Sequence, residues 1–217
     1  MENIQFVRAD NLDKISIEKS LGKLYKKLFD ILVSLFVIVF ILSWLIPVLF
    51  ILIRIESKGS VFFIQERSGL HLEKFYCIKF RSMKMNEFSD IKTTVKGDKR
   101  ITKIGDFLRK SSIDELPQFF NVLMGHMTIV GPRPHMVNQT EKYNQKIYKF
   151  KERHYEKPGI TGLAQISGCR GVIKNDKDMM YRLRYDLFYI NNWSFLFDMK
   201  IIIKTIKQII RYDENAV

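Results

Sequence analysis

Two adjacent carboxylates, Asp114 and Glu115, lie in the stretch SSIDELPQ at residues 111–118. A carboxylate can attack phosphorus and form a covalent intermediate, which splits one difficult transfer into two easier steps. A neighbouring carboxylate can hold Mg²⁺, which neutralises phosphate charge. The pair therefore predicts either phosphoryl-transfer chemistry or the acidic first turn of a helix, where negative charge complements the helix dipole.

Pro117 limits where a helix can start in this stretch. A capping box that begins at Ser112 would place Pro117 at the fifth helical position, where its missing N–H removes an intrahelical hydrogen bond. With Asp114 as the N-cap, Pro117 falls at the third position, where amide groups lack helical partners anyway. We therefore expect Asp114 to cap a helix that ends near Gly125, a residue typical of helix C-termini.

Three arginines are candidates for binding phosphate oxygens, because a guanidinium group donates two parallel hydrogen bonds: Arg81 in KFRSM, Arg109 in FLRK and Arg133 in GPRP. Each of them alone is also typical of an ordinary surface. The formal net charge of +13 favours anionic partners, which include nucleic acid, phosphorylated metabolites and acidic membranes. The basic residues are interleaved with apolar ones and match no nucleic-acid-binding motif, so no nucleic-acid partner is predicted.

The segment Ile31–Ile53 contains 23 residues without a charge. As a helix it would be about 34 Å long, enough to cross the hydrocarbon core of a bilayer. Basic residues flank both of its ends, so the positive-inside rule gives no orientation. Pro47 leaves the carbonyl of Ser43 without its helical donor, and the Ser43 hydroxyl lies close to that break. The residues leave two readings open: a kinked spanning helix, and a helix that enters and returns to the same face.

The rest of the chain predicts an α+β fold that is mostly helical. We divide the whole chain into an N-terminal tail (1–22), a membrane anchor (23–57) and a folded domain (58–217). Within the domain we expect a short β-hairpin around Gly69, a helix in ITKIGDFLRK, a polar loop at 88–100, a helix in EKYNQKIYKFKERHYEK and a glycine-punctuated loop in PGITGLAQISGCRG. Two cysteines without metal-ligand spacing, Cys77 and Cys169, favour a reducing cytoplasmic setting.

The C-terminal run WSFLFDMKIIIKTIKQIIRY predicts a basic amphipathic helix. Its basic residues fall on one helical face: Lys200, Lys204, Lys207 and Arg211. Its isoleucines lie largely on other faces. Such a helix is typical of the membrane interface, and it also occurs as a core-packed helix with a solvated side.

An ordered series of motifs resembles the bacterial monotopic phosphoglycosyl transferases, which start cell-surface glycan assembly on a polyprenol carrier. The motifs are VFFIQERSG, KFRSM, RITKIGDFLRKSSIDELPQFFNVLMG, TIVGPRP, KPGITGLAQISG and YDLFYINNWS, and they run from about Lys23 to Ile210. Larger members of that family carry further N-terminal membrane helices and a second domain. The resemblance therefore implies the minimal catalytic form.

The resemblance implies a role for each candidate residue. Asp114 would be the nucleophile that displaces UMP from a UDP-sugar, and Glu115 would hold Mg²⁺ at the diphosphate. Polyprenol (undecaprenyl) phosphate would then attack the aspartyl-phosphosugar. Arg133 and Arg109 would bind phosphate. Lys79, Arg81 and Asp186 match the family's polar positions less decisively.

The resemblance also favours the re-entrant anchor, with its break at Ser43 and Pro47. Both helix ends and the catalytic domain would then lie on the cytoplasmic face of the bacterial inner membrane, among its lipids. Three departures stand out: Ile46 in place of serine before Pro47, SKGSVFF without the usual two prolines, and His135 where an acidic residue is frequent. His135 has two readings, a residue that influences substrate choice and a plain surface histidine, and we expect the surface histidine.

Two other functions stay open from the sequence. One is a lipid glycosyltransferase that releases UDP, and the other is a non-catalytic basic protein anchored to the membrane. The sequence does not reveal the sugar, the polyprenol length, the glycan pathway or whether the chain forms a homo-oligomer.

Overall fold

The computed structural model describes residues 9–84, 97–173 and 175–210. Most of the predicted polar loop at 88–100 lies outside these residues. The helices are α1 (Ala9–Val37), α2 (Ser43–Glu56), α3 (Lys103–Lys110), α4 (Gln118–Leu123), α5 (Val137–Lys146), α6 (Leu163–Ile166), α7 (Asp176–Asn191) and α8 (Phe195–Ile210). The strands are β1 (Phe62–Ser68), β2 (Lys74–Phe80), β3 (Thr128–Val130) and β4 (Gly159–Thr161). The predicted α+β, mostly helical content is confirmed.

A long apolar helix is built from α1 and α2, which a π-helical turn at Ile38–Leu42 joins. Of the described residues, one helical stretch, Ser20–Glu56, is long and apolar enough to cross a membrane. Helical structure already begins at Ala9, inside the segment that we assigned to the tail.

Pro47 lies inside α2 and does not end it. The π-helical turn just before it gives Ser43 a backbone hydrogen bond to the carbonyl of Ile38, five residues back. The Ser43 hydroxyl donates to the carbonyl of Val39 at 2.6 Å. Changes of this kind in the hydrogen-bond ladder are a common cause of helix kinks. The expected irregularity near Ser43 is therefore a π-helical turn within a continuous helix.

Both ends of the apolar stretch Ser20–Glu56 contact the same folded body. Near the start of this stretch, the Lys26 ammonium donates to the Val130 carbonyl at 2.9 Å and to the Asp198 carboxylate at 2.6 Å. At its C-terminal end, the Glu56 carboxylate accepts from the backbone N–H groups of the first two residues of α3, at 2.8 and 2.9 Å. Large apolar side chains between these contacts are more than half exposed: Val39, Phe40, Trp44 and Ile51.

The predicted hairpin is confirmed as the antiparallel pair β1 and β2. Its register runs from Phe62 opposite Phe80 to Ser68 opposite Lys74. Gly69 and a 3₁₀ turn connect the strands. The hairpin matters for the site because β2 ends within the motif KFRSM. Lys79, the last residue but one of β2, lines the pocket.

A second, parallel pair of strands was not predicted. β3 pairs with β4, with Thr128 opposite Gly159 and Val130 opposite Thr161. The stretch PGITGLAQISGCRG was predicted to be a glycine-punctuated loop. In the structure it contains β4 and the short helix α6. A Cβ atom at Gly159 would lie 2.1 Å from the Gly131 backbone nitrogen, so this close strand approach requires glycine.

The predicted C-terminal helix is confirmed as α8. Ile201 on its inner face is fully buried in a core formed with β2, β3, α4 and α7. Its outer face combines exposed lysines with exposed apolar side chains: Leu196, Lys200, Ile203, Lys204, Ile206, Lys207 and Ile210. This mixed surface is typical of a helix at a membrane interface, and that placement stays a prediction.

Candidate active site

Asp114 and Glu115 lie in a single 3₁₀ turn between α3 and α4. Ser112 precedes this turn in the left-handed conformation, with φ of 59°, and its side chain makes no cap. α4 starts one residue after Pro117, which occupies the N-cap position. The prediction that Asp114 caps α4 is therefore wrong, because the fixed φ of Pro117 suits the entry to the helix itself.

Glu115 is buried between two cationic side chains. Its Oε1 accepts from the Lys79 ammonium at 2.7 Å and from the Arg133 guanidinium at 2.6 Å, and its Oε2 lies 3.3 Å from a second Arg133 nitrogen. Burial opposes ionisation of this carboxyl. The positive charges of Arg133 and Lys79 outweigh burial and hold the pKa of Glu115 well below its usual range. Glu115 is therefore a fixed anion that positions two phosphate-binding candidates.

Asp114 has a different environment from its neighbour. Only 9% of it is exposed, and it makes no hydrogen bond or salt bridge with another described residue. Burial and the adjacent charge of Glu115 raise its pKa from 3.8 to about 6. A carboxylate that is ionised near neutral pH and lacks a partner is suited to act as a nucleophile.

Arg109 reaches the same site from α3. Burial lowers its pKa, and the nearby charges of Asp114 and Glu115 oppose that effect. Like Asp114, it has no hydrogen bond or salt bridge with another described residue. Its guanidinium group is therefore free to donate to an anionic ligand.

One pocket gathers most of the predicted site residues. Its lining includes Lys79, Arg81, Arg109, Asp114, Glu115 and Arg133. The side chains come from β2, α3, the 3₁₀ turn and the loop after β3. A carboxylate without a partner in the described part of the chain, placed among several cations, suits a substrate that carries phosphate groups.

Arg81 lines this pocket, but its guanidinium group also has a structural task. Its two terminal nitrogens donate to the backbone carbonyls of Ser57 and Lys58, directly after α2. Arg81 thereby ties the end of the long helix to the hairpin. Its role in phosphate binding stays a prediction.

Asp186 lies outside the pocket lining, in a buried ion pair behind it. Its carboxylate accepts from the Arg153 guanidinium at 2.7 and 2.9 Å, and both side chains are at most 2% exposed. Arg153 in turn donates to the backbone carbonyl of Arg133 at 2.8 Å. Asp186 therefore acts on the pocket through Arg153, which holds the GPRP segment in place.

His135 is buried, so the prediction of a surface histidine is wrong. It is 3% exposed and lines the pocket, with Arg153 3.1 Å from its Nδ1 and Arg182 3.4 Å from its Nε2. Burial and the two arginines keep the pKa of His135 well below its usual range, so the ring is neutral. The sequence carried no signal of this burial, because the covering residues come from α7 and the 3₁₀ turn at Phe150–Tyr155.

Arg170 is a pocket residue that the sequence reasoning missed. Its guanidinium group donates to the Ser112 hydroxyl at 2.6 Å, and its charge lowers the pKa of Glu115. It lies in the stretch GCRG, where an arginine between glycines inside a predicted loop was the available signal. Arg170 supports the left-handed residue that precedes the 3₁₀ turn of Asp114 and Glu115.

The sequence profile of the family described as bacterial sugar transferase matches residues 21–212. These bounds cover the long helix from residue 21 onward, both strand pairs and the pocket. The chain belongs to the bacterial sugar transferase family.

Curated relatives of this sugar transferase share its sequence over most of the chain. A UDP-glucose:undecaprenyl-phosphate glucose-1-phosphate transferase from Klebsiella pneumoniae is 46% identical over 86% of this chain and 40% of its own length. The exopolysaccharide production protein PSS from Rhizobium leguminosarum bv. phaseoli is 40% identical over 83% of this chain and 92% of its own length. A UDP-N-acetylgalactosamine-undecaprenyl-phosphate N-acetylgalactosaminephosphotransferase from Aeromonas hydrophila is 40% identical over 74% of this chain and 38% of its own length. The chain thus spans less than half of the Klebsiella and Aeromonas proteins.

Binding of Mg²⁺ in the sugar transferase pocket stays a prediction. Within the described ranges, no group of three or more His, Cys, Asp or Glu residues could hold a metal ion. Mg²⁺ commonly binds through one or two carboxylates and completes its shell with water and substrate phosphates. Glu115 Oε2, with only the longer contact to Arg133, is an oxygen that fits this pattern.

Proposed function

We propose that this sugar transferase moves sugar-1-phosphate from a UDP-sugar to undecaprenyl phosphate and releases UMP. The observation that carries the proposal is the Asp114 carboxylate, which pairs with no other described residue and shares a pocket with Arg109 and Arg133. The names of the relatives from Klebsiella and Aeromonas, which specify transfer of this kind, support it.

In the first step, a carboxylate oxygen of Asp114 attacks the phosphorus that bears the sugar. A bond from that oxygen to phosphorus forms, the bond from phosphorus to the bridging oxygen breaks, and UMP leaves with that electron pair. In the second step, a phosphate oxygen of undecaprenyl phosphate attacks the same phosphorus. The aspartyl bond breaks, which yields undecaprenyl-diphosphate-sugar and regenerates Asp114.

The cations of the pocket have separate tasks in this scheme. Arg109 is the free donor to the diphosphate, and it stabilises the negative charge that develops on the leaving UMP. Arg133 and Lys79, oriented by Glu115, bind the phosphoryl oxygens. Glu115 would hold Mg²⁺, which when bound neutralises diphosphate charge.

We also propose that the long helix is a re-entrant anchor and that the pocket faces the cytoplasm. The contacts of Lys26 and Glu56 with one folded body support it, because a helix that crossed a bilayer would carry its two ends to opposite faces. Single cysteines placed before Lys23 and after Lys58 test this. Both should be inaccessible to a membrane-impermeant thiol reagent added outside intact cells, and labelling of either one would exclude re-entry.

The released nucleotide tests the reaction itself. The full chain is incubated with undecaprenyl phosphate and UDP-glucose, UDP-galactose or UDP-N-acetylgalactosamine, and UMP and UDP are quantified. UMP supports sugar-phosphate transfer, and UDP would identify a glycosyltransferase that moves the sugar alone. The panel also identifies the sugar.

The variant Asp114→Asn tests the nucleophile, with Asp106→Asn as its matched control. Asp106 is an exposed aspartate on α3 that pairs with Lys110 at 2.6 Å, and it does not line the pocket. We expect Asp114→Asn to abolish both UMP release and the covalent phosphosugar adduct seen by mass spectrometry. Turnover retained in Asp114→Asn would refute the assignment of Asp114 as the nucleophile.

A further inference from the structure

A second cavity lies beside the N-terminal half of the long helix. Its floor is apolar and buried, with Val122, Met127 and Val130 each at most 4% exposed. Its rim carries lysines, among them Lys27 on α1 and Lys157 before β4. Among the described residues, none lines both this lysine-rimmed cavity and the pocket of Asp114.

Four lysines line this cavity, and carboxylates of the protein neutralise two of them. Lys23 and Lys26 lie in salt bridges of 3.2 and 2.6 Å. Lys27 and Lys157 make no hydrogen bond or salt bridge with another described residue. The carboxylate of Asp30 is turned to β3, where it accepts from a hydroxyl and a backbone N–H group. As far as the described residues go, the cavity therefore offers the ammonium groups of Lys27 and Lys157 to an anion.

The position of the cavity along the helix indicates what kind of anion fits. Its lining includes Ile31, the first residue of the uncharged segment. Leu28 and Leu32 on the adjoining helical surface are 49% and 65% exposed, as expected where a helix enters lipid. Lysines at such a boundary lie at the depth of lipid phosphates.

We propose that the lysine-rimmed cavity binds an anionic phospholipid, with its phosphate between Lys27 and Lys157 and its acyl chain against Ile31. The proposal rests on the membrane placement proposed above. The occupant differs from the lipid substrate, because undecaprenyl phosphate has to reach Asp114 in the other pocket. A bound phospholipid would hold the sugar transferase at a fixed depth in the interface.

The two tryptophans of the chain make the proposal testable. Trp193 lines the cavity, and Trp44 lies in the middle of the long helix. The variant Trp44→Phe is reconstituted in phosphatidylcholine vesicles that contain acyl-brominated phosphatidylglycerol or, at equal mole fraction, acyl-brominated phosphatidylcholine. We expect Trp193 to be quenched more strongly by phosphatidylglycerol. The amount needed for half-maximal quenching should rise about fivefold for each of Lys27→Gln and Lys157→Gln.

Lys204→Gln and Lys207→Gln are the matched controls, since these exposed lysines of α8 do not line the cavity. They should leave the quenching curve unchanged. An equal loss in these variants would overturn the proposal in favour of general surface attraction. Equal quenching by both lipids, or reversal by inorganic phosphate or by undecaprenyl phosphate, would also overturn it.

A variant with Trp193→Phe keeps Trp44 as the only tryptophan and reports membrane contact by itself. If brominated phosphatidylcholine quenches Trp44 while Trp193 shows no lipid preference, the lipid site alone is refuted. If Trp44 is not quenched, the membrane placement fails and the lipid site fails with it. UMP release, measured in detergent, reports separately on the proposed reaction.

Discussion

Replacing Asp114 with asparagine should stabilise the folded protein while it abolishes transfer. The carboxyl group is buried, has no partner among the described residues and lies beside the charge of Glu115. These features raise its pKa from 3.8 to about 6. Ionising Asp114 therefore costs more free energy in the folded chain than in the unfolded chain, and a neutral amide avoids that cost.

The size of the effect follows from the raised pKa of Asp114. At pH 7.5, a rise from 3.8 to about 6 corresponds to roughly 3 kcal/mol, at about 1.36 kcal/mol per pH unit. At pH 5 the folded carboxyl is mostly protonated, and the penalty falls to roughly 1.6 kcal/mol. Because the raised pKa belongs to an acid, the wild type gains stability relative to the variant as pH falls. For a chain of this size, the variant should melt roughly 6–12 °C higher at pH 7.5 and about half as much higher at pH 5.

The assay compares melting temperatures of wild type and Asp114→Asn in one detergent with EDTA, at pH 7.5 and pH 5. Burial and nearby arginine keep the pKa values of His135 and His154 low, so both histidines destabilise each protein equally as pH falls. The difference between the two proteins therefore isolates Asp114. The exposed control Asp106→Asn should change the melting temperature by no more than about 2 °C.

Two results would refute this reasoning. One is an Asp114→Asn variant that is no more stable than the wild type at pH 7.5. The other is a gain of the same size at both pH values, which would assign the effect to packing.

Glu115→Gln provides the opposite case: it leaves Lys79 and Arg133 without their carboxylate and should destabilise the protein by roughly 3 kcal/mol.

Three further predictions concern the reaction and the supports of the pocket. The pH profile of kcat/KM should have an acid limb with its midpoint near the Asp114 pKa of about 6, because the carboxylate must be ionised to attack. A midpoint near pH 4 would contradict the raised pKa of the buried Asp114. Asp186→Asn leaves the buried Arg153 without its counter-ion and should lower the free energy of unfolding by roughly 3–5 kcal/mol, measured by urea denaturation. Glu56→Ala removes the acceptor of two backbone N–H groups at the start of α3 and should lower the free energy of unfolding by about 1 kcal/mol. The readout is faster amide hydrogen exchange at Lys103 and Ile104. Unchanged exchange at these two amides would show that water replaces the carboxylate.

Features with a local physical cause could be predicted from the sequence. The hairpin around Gly69 follows from β-branched and aromatic residues on either side of a turn residue, and α3 and α8 follow from apolar residues at helical spacing. The candidate residues of the pocket were found because their motifs occur in a familiar order. Arg170 was missed, since a single arginine in a glycine-rich loop has no periodic pattern around it.

Features that depend on distant partners could not be predicted. The pairing of β3 with β4 joins segments that are about 30 residues apart, and neither segment alternates clearly enough to indicate a strand. The burial of His135 depends on Arg153 and Arg182, which come from other elements. α4 begins after Asp114 and not at it, because Ser112 adopts the left-handed conformation and residues 113–115 form a 3₁₀ turn. The local sequence favoured Asp114 as a helix N-cap.

The sequence by itself determined the family, the apolar segment and the chemical types of the site residues, because these depend on composition and on the order of short motifs. The tertiary structure decided how the two adjacent carboxylates differ. Lys79 and Arg133 reach Glu115 from other elements of the chain and keep it ionised. Asp114 is buried without a partner among the residues that the structure describes, and its pKa rises. Charge pairing across distant elements, which no local pattern encodes, is what distinguishes the proposed nucleophile from its neighbour.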